Sequence, residues 1–169
     1  MRPQDKLKQA LQTAEGLYYR LVLLVGETGS GKTSVLRDVA NDLGTDIINI
    51  NLALSSELLE LNAKQRTLRL PEILDYLIDK TKPTVVLDNL EILFDKHLKQ
   101  DPLRLLQGLS RNRSVLASWS GTIAGNKLTY GETGHPEYRS YELTDLLIVR
   151  MNKTSTADSL NKITETGQV

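Results

Sequence analysis

Short apolar runs rich in β-branched residues alternate along this chain with stretches whose apolar positions recur at helical spacing. Residues 20–25, 46–50, 83–88, 114–119 and 145–149 read as buried strands. The first helix is predicted over 3–15, with Leu7, Ala10, Leu11 and Ala14 on one face, Pro3 near its start and Gly16 ending it. Residues 34–43 place Val35, Leu36, Val39, Ala40 and Leu43 on one face, and Gly44 closes that helix. Residues 55–80 read as helical in two pieces, the second beginning at Pro71 with Ile73, Leu74, Leu77 and Ile78 inward. Two more helices are expected between the third and fourth strands, the second capped by Asp101 with Pro102 in its first turn. Residues 121–141 mix turn signals with a short strand around 128–130. From Met151 the chain turns polar without period, so 151–169 is predicted to be a disordered tail.

This alternation predicts one α/β domain over residues 1–150, with a mainly parallel sheet and helices on both faces. Ligands bind such sheets at the carboxyl ends of the strands. Residues 26–33, Gly-Glu-Thr-Gly-Ser-Gly-Lys-Thr, stand at one such end and satisfy the P-loop pattern at every fixed position. Gly26, Gly29 and Gly31 free the backbone to turn its N–H groups inward around phosphate oxygens. Glu27, Thr28, Ser30 and Ser34 complete the nucleotide-binding stretch, and the helix starting near Gly31 adds its positive dipole end. Lys32 is expected to reach the β- and γ-phosphates, and the Thr33 hydroxyl to bind Mg²⁺. The fold class that follows is a three-layer P-loop NTPase fold without a separate lid domain, using ATP and Mg²⁺.

Val85-Val-Leu-Asp88 is an apolar strand ending in Asp, the Walker B pattern, whose carboxylate would hold Mg²⁺ beside Thr33. Many P-loop ATPases place Glu directly after this Asp to orient the attacking water. Here the position is Asn89, whose neutral amide holds a water but takes no proton. Glu91 is the nearest carboxylate and the candidate catalytic base, against the reading of a solvated helix residue. Glu57 is a more distant option. Lys32, Asp88 and Glu91 are therefore the candidate catalytic set.

Ser118 and Ser120 end the fourth strand, where one of them could act as a polar sensor of the γ-phosphate; an ordinary strand-end serine is the competing reading. Arg111 and Arg113 precede that strand, away from their own nucleotide, and are candidates for an arginine finger toward a neighbouring subunit or for a plain solvated loop. Residues 96–113 carry Lys96, Lys99, Arg104, Arg111 and Arg113 against Asp101 alone, a candidate DNA contact or a solvated face. Tyr18 and Tyr19 could stack on a base or pack locally. His135 has no second histidine or cysteine near it, which argues against a metal site there.

The 169 residues carry 21 basic and 21 acidic side chains, so the chain is not built to coat nucleic acid. It has no cysteine, and its apolar runs are far too short to span a membrane, which points to a cytoplasmic protein without membrane contact. A GTPase would show Asn-Lys-x-Asp, whereas Asn126-Lys-Leu ends in Thr129. A small-molecule kinase would want an arginine-rich lid, and residues 51–63 hold no arginine. A helicase needs two such cores and a Glu after the Walker B Asp. What remains is an ATPase or a nucleotide-binding switch within an assembly.

The P-loop region from Leu17, Leu70-Pro-Glu-Ile-Leu74, Leu87-Asp-Asn-Leu-Glu-Ile-Leu-Phe94, the stretch Gln100–Arg113 and Leu128-Thr-Tyr130 with Gly134-His-Pro-Glu-Tyr138 resemble the BrxF family. These are the small P-loop proteins of type 3 BREX (bacteriophage exclusion) systems. The resemblance covers roughly residues 1–150 and is most specific from Asp88 to Arg113. It implies a bacterial antiviral role beside other BREX defence proteins, among them a larger BREX ATPase. It supplies no mechanism, and self-association and DNA contact stay open.

Overall fold

The computed structural model describes residues 1–151 other than Asp79 and Thr133. Of the tail expected over 151–169, residues 152–169 lie outside the described residues, while Met151 is held, its N–H donating to Val25 O at 2.8 Å. The chain runs α1 (Pro3–Ala14), β1 (Leu21–Gly26), α2 (Lys32–Leu43), β2 (Ile47–Asn49), α3 (Ile50–Leu58), α4 (Ala63–Tyr76) and β3 (Thr84–Asp88). Two 3₁₀ turns follow, Glu91–Phe94 and Lys96–Leu98, then α5 (Pro102–Leu109), β4 (Ser114–Ala124), β5 (Lys127–Tyr130), β6 (Arg139–Glu142) and β7 (Leu147–Arg150).

The sheet has the order β2-β3-β4-β1-β7, with every neighbour in that path parallel. Alternate strand residues feed two cores, as the pleat requires. Leu21, Leu23, Val25, Val85, Leu87, Val115 and Ala117 face α3, α4 and α5. Val22, Leu24, Val86, Leu116, Leu147 and Val149 face α1 and α2. The fold is the expected three-layer α/β arrangement, with the helical stripe of α1 inward at Leu7, Ala10, Leu11 and Ala14.

Four elements differ from the sequence reading. The strand expected over 46–50 stops at Asn49, whose side chain accepts from the Leu52 N–H and caps α3, so that helix begins at Ile50 rather than at 55. Pro71 lies inside α4 rather than at its start. The helix begins instead at a capping box in which Asn62 accepts from the Gln65 N–H and the Gln65 side chain accepts from the Asn62 N–H. Proline supplies no N–H to the carbonyl four residues back, which is Thr67. The side-chain amide of Gln100 donates to that oxygen at 2.9 Å, so the helix passes through. The expected helix after Asp88 is two 3₁₀ turns. Finally, β4 continues past Trp119 to Ala124 and pairs antiparallel with β5, which pairs with an unforeseen β6. This ribbon rises over the carboxyl ends of the parallel strands.

Candidate functional site

The P-loop joins β1 to α2 at the carboxyl edge of the sheet. Gly29 and Gly31 have φ of 84° and 94°, the left-handed region that a side chain disfavours, so glycine is needed at both turns of the loop. Lys32 is buried and its ammonium donates to the carbonyls of Gly26 at 2.8 Å and Glu27 at 2.9 Å. Burial pushes its pKa below lysine's ordinary value, while Asp88, Glu91 and Glu27 pull the other way. Ser34 is exposed in the first turn of α2.

Asp88 ends β3 almost fully buried. One carboxylate oxygen accepts from the Thr33 hydroxyl at 2.6 Å and the other from the Ser118 hydroxyl at 2.6 Å. Thr33 and Asp88 thus offer adjacent hard oxygens at the mouth of the loop. Mg²⁺ takes one or two protein oxygens plus phosphate and water, so this donor set fits it. Among the described residues no cluster of three histidine or acidic side chains forms a protein-only cage. Of the two sensor candidates, Ser118 is buried and props Asp88, and Ser120 lines the pocket.

Glu91 faces the same pocket. Its carboxylate accepts from the Asn51 side-chain amide at 2.9 Å and from the Ser120 hydroxyl at 3.2 Å. Asn89 turns the chain after Asp88 with φ of 55°, and that reversal returns Glu91 to the P-loop. A cavity of about 520 Å³ is lined by Gly31, Lys32, Thr33, Asp88, Asn89 and Glu91, among others. Glu57 is not among them; it is exposed on α3 and lines a separate recess with Arg69 and Tyr76.

Asn51 is the residue that sequence reasoning missed. Its backbone N–H donates to Asn89 O at 2.9 Å, its side-chain oxygen accepts from Ile92 N–H at 2.7 Å, and its amide holds Glu91. Three bonds from one residue fix the turn that carries the carboxylate. The available signal was a polar residue just past the carboxyl end of a parallel strand. Asn51→Ala should cost about 1–3 kcal/mol of stability, since it strips the acceptor from Ile92 N–H. Urea titration of the two proteins measures this, and equal midpoints would refute the clamp.

The arginine candidates fare differently. Arg113 is buried, donating to Leu109 O at 3.2 Å and pairing with Asp75 at 3.4 Å, so it is a structural tie and not a finger. Arg111 is exposed with its guanidinium 5.0 Å from the Tyr18 ring centroid. Tyr18 and Tyr19 precede β1, whereas the P-loop follows it, so the length of a six-residue strand separates them from a base bound at that loop. They pack edge to face on each other at 4.8 Å.

The model of the AAA family (ATPase family associated with various cellular activities) matches residues 22–115. The chain belongs to the AAA ATPase family. The AAA match opens in β1 and closes in β4, so it includes the P-loop, Asp88 and Glu91, while the antiparallel ribbon lies beyond it. A solved structure of C. elegans PCH-2 is similar to this AAA chain, with a TM-score of 0.43 and 19% identity. That likeness covers 72% of this chain and 38% of the PCH-2 chain, so this chain spans well under half of its length. No curated protein matches the sequence. No helix among the described residues of this AAA chain is long and apolar enough to cross a membrane.

Proposed function

We propose that this chain is an ATP-binding and ATP-hydrolysing subunit of a bacterial phage-defence (BREX) complex. The observation that carries the ATPase part is one cavity into which the P-loop, the Thr33–Asp88 pair and Glu91 all face. In this reading the loop N–H groups and Lys32 bind the phosphates, Thr33 and Asp88 hold Mg²⁺, and Glu91 takes a proton from the attacking water. Ser120, bonded to Glu91, would be the polar sensor of the γ-phosphate in this reading. The BREX part rests on the resemblance across residues 1–150, above all Asp88 to Arg113. Its cytoplasmic partners would be other BREX proteins, the larger BREX ATPase among them, or a second copy of this chain.

A specific observation favours a second reading, a nucleotide-binding switch that hydrolyses nothing. Asn89 occupies the position directly after Asp88, and both oxygens of Glu91 are already engaged by neutral donors. Thermal unfolding and phosphate release, each measured with Mg-ATP on the parent protein and Lys32→Ala, separate the readings. ATP at about 100 times its dissociation constant should raise the parent melting midpoint by roughly 5–10 °C, and Lys32→Ala should lose that shift. Phosphate release that depends on Lys32 establishes the ATPase. A shift without release establishes the switch, and no shift refutes nucleotide binding.

A further inference from the structure

β1, β3 and β4 run parallel, so the segments preceding them meet at the sheet edge opposite the P-loop. Backbone bonds tie these segments together: Arg20 N–H donates to Ser110 O at 3.0 Å and Ser114 N–H to Pro83 O at 3.1 Å. Between them lies a recess of about 420 Å³ lined by Arg20, Lys80, Thr81, Lys82, Asn112 and Arg113, with Pro83; among the described residues every charged side chain of that lining is basic. Asp75 pairs with Arg113 and with Lys80. Among the described residues no ion pair joins Arg20, Lys82 or Arg111 to a carboxylate. Arg20 donates to Arg111 O at 3.1 Å and Lys82 to Gly44 O at 3.1 Å, which aims the cations without neutralising them. Of the acids in the segments at this edge, Glu15 follows α1, Asp46 and Asp145 precede the outer strands β2 and β7, and Asp79, beside Lys80 in sequence, lies outside the described residues. Beside the recess the Tyr18 ring is 66% exposed, with Arg111 against it.

We propose that this edge binds a single-stranded nucleic acid, with backbone phosphates on Arg20, Lys80, Lys82 and Arg111 and a base stacked on Tyr18. Convergent arginine and lysine side chains around a recess suit phosphate oxygens. An exposed aromatic ring beside them is the feature that separates a single strand from other polyanions, because unpaired bases offer their faces. A duplex or an acidic protein would use the cations and leave the ring idle. The surface lies a full sheet length from Lys32, so its occupancy is separable from ATP binding.

Fluorescence anisotropy of the full chain with a labelled oligothymidylate of about 20 nucleotides tests this, alongside the matching duplex, at about 50 to 200 mM salt. Single-strand binding should weaken with salt, and the triple variant Lys80→Gln, Lys82→Gln, Arg111→Gln should lower affinity at least about tenfold. The slope of log affinity against log salt should fall by roughly 2 in that variant. Tyr18→Ala, a surface change, should weaken the single strand about 5- to 100-fold and leave the duplex unaffected. Both variants should keep the ATP-induced thermal shift of the parent. Absence of salt-sensitive binding, unchanged binding by the variants, equal use of duplex, or a preference for anionic vesicles or polyglutamate would each overturn the proposal.

Discussion

Glu91→Gln should lower ATP turnover by about 10²- to 10⁴-fold while leaving the ATP-induced thermal shift intact. In hydrolysis the water oxygen bonds to the γ-phosphorus, the bond from that phosphorus to the ADP oxygen breaks, and the water must lose a proton. Asn89 has no site for that proton. Glu91 has one, and Asn51, Ser120 and the reversal at Asn89 hold its carboxylate over the cavity. The variant is conservative where it matters. A glutamine oxygen still accepts from Asn51, and its NH₂ can donate to the Ser120 hydroxyl in place of the present bond, so shape and packing persist while the basic oxygen is gone. Single-turnover phosphate release alongside nucleotide titration reads both effects. Turnover equal to that of the parent would remove Glu91 from the role of base.

The P-loop and Asp88 were legible because their chemistry is written in consecutive residues: three glycines, a lysine and a threonine after a strand, and an aspartate ending another strand. Glu91 was legible as a distance along the chain, three residues past Asp88. Asn51 was not, because its partners Asn89, Glu91 and Ile92 come from another strand end some forty residues on, and its place just past a parallel strand does not by itself say what it bonds. Pro71 misled for a similar reason. Proline favours the first turn of a helix, and only the distant Gln100 makes it tolerable in the interior by bonding Thr67 O. The ribbon was misread because glycine-rich turn signals after Trp119 outweighed the strand pattern. Gly125-Asn126 is a two-residue hairpin connection between Ala124 and its partner Lys127, the one local signal of this pairing in the sequence.

That ribbon is where a core change should have its largest effect on stability. Trp119→Ala is expected to cost about 3–5 kcal/mol. The indole is 1% exposed and its N–H donates to Thr129 O at 3.0 Å, tying β4 to β5. Its ring meets Phe94 edge-on at 5.2 Å and Tyr141 at 5.7 Å, and Phe94 in turn stacks on Tyr130 at 3.5 Å. Removing it opens a cavity, strips a donor from a buried carbonyl and breaks its edge contacts with Phe94, Tyr130 and Tyr141, losses that all have the same sign. For a chain of this size the melting midpoint should fall by roughly 6–20 °C. Phe94 also ends the 3₁₀ turn that starts at Glu91, so the same cluster supports the candidate base. Trp119→Phe keeps a ring in the cluster but loses the indole N–H, and should cost a smaller amount, about 1–3 kcal/mol. Its folded fraction should then hydrolyse ATP more slowly than the parent at equal ATP binding, because the turn behind Glu91 is less firmly seated. A Trp119→Ala midpoint within about 2 °C of the parent would mean that the ribbon is not packed on the core, and the link from the aromatic cluster to Glu91 would fall with it.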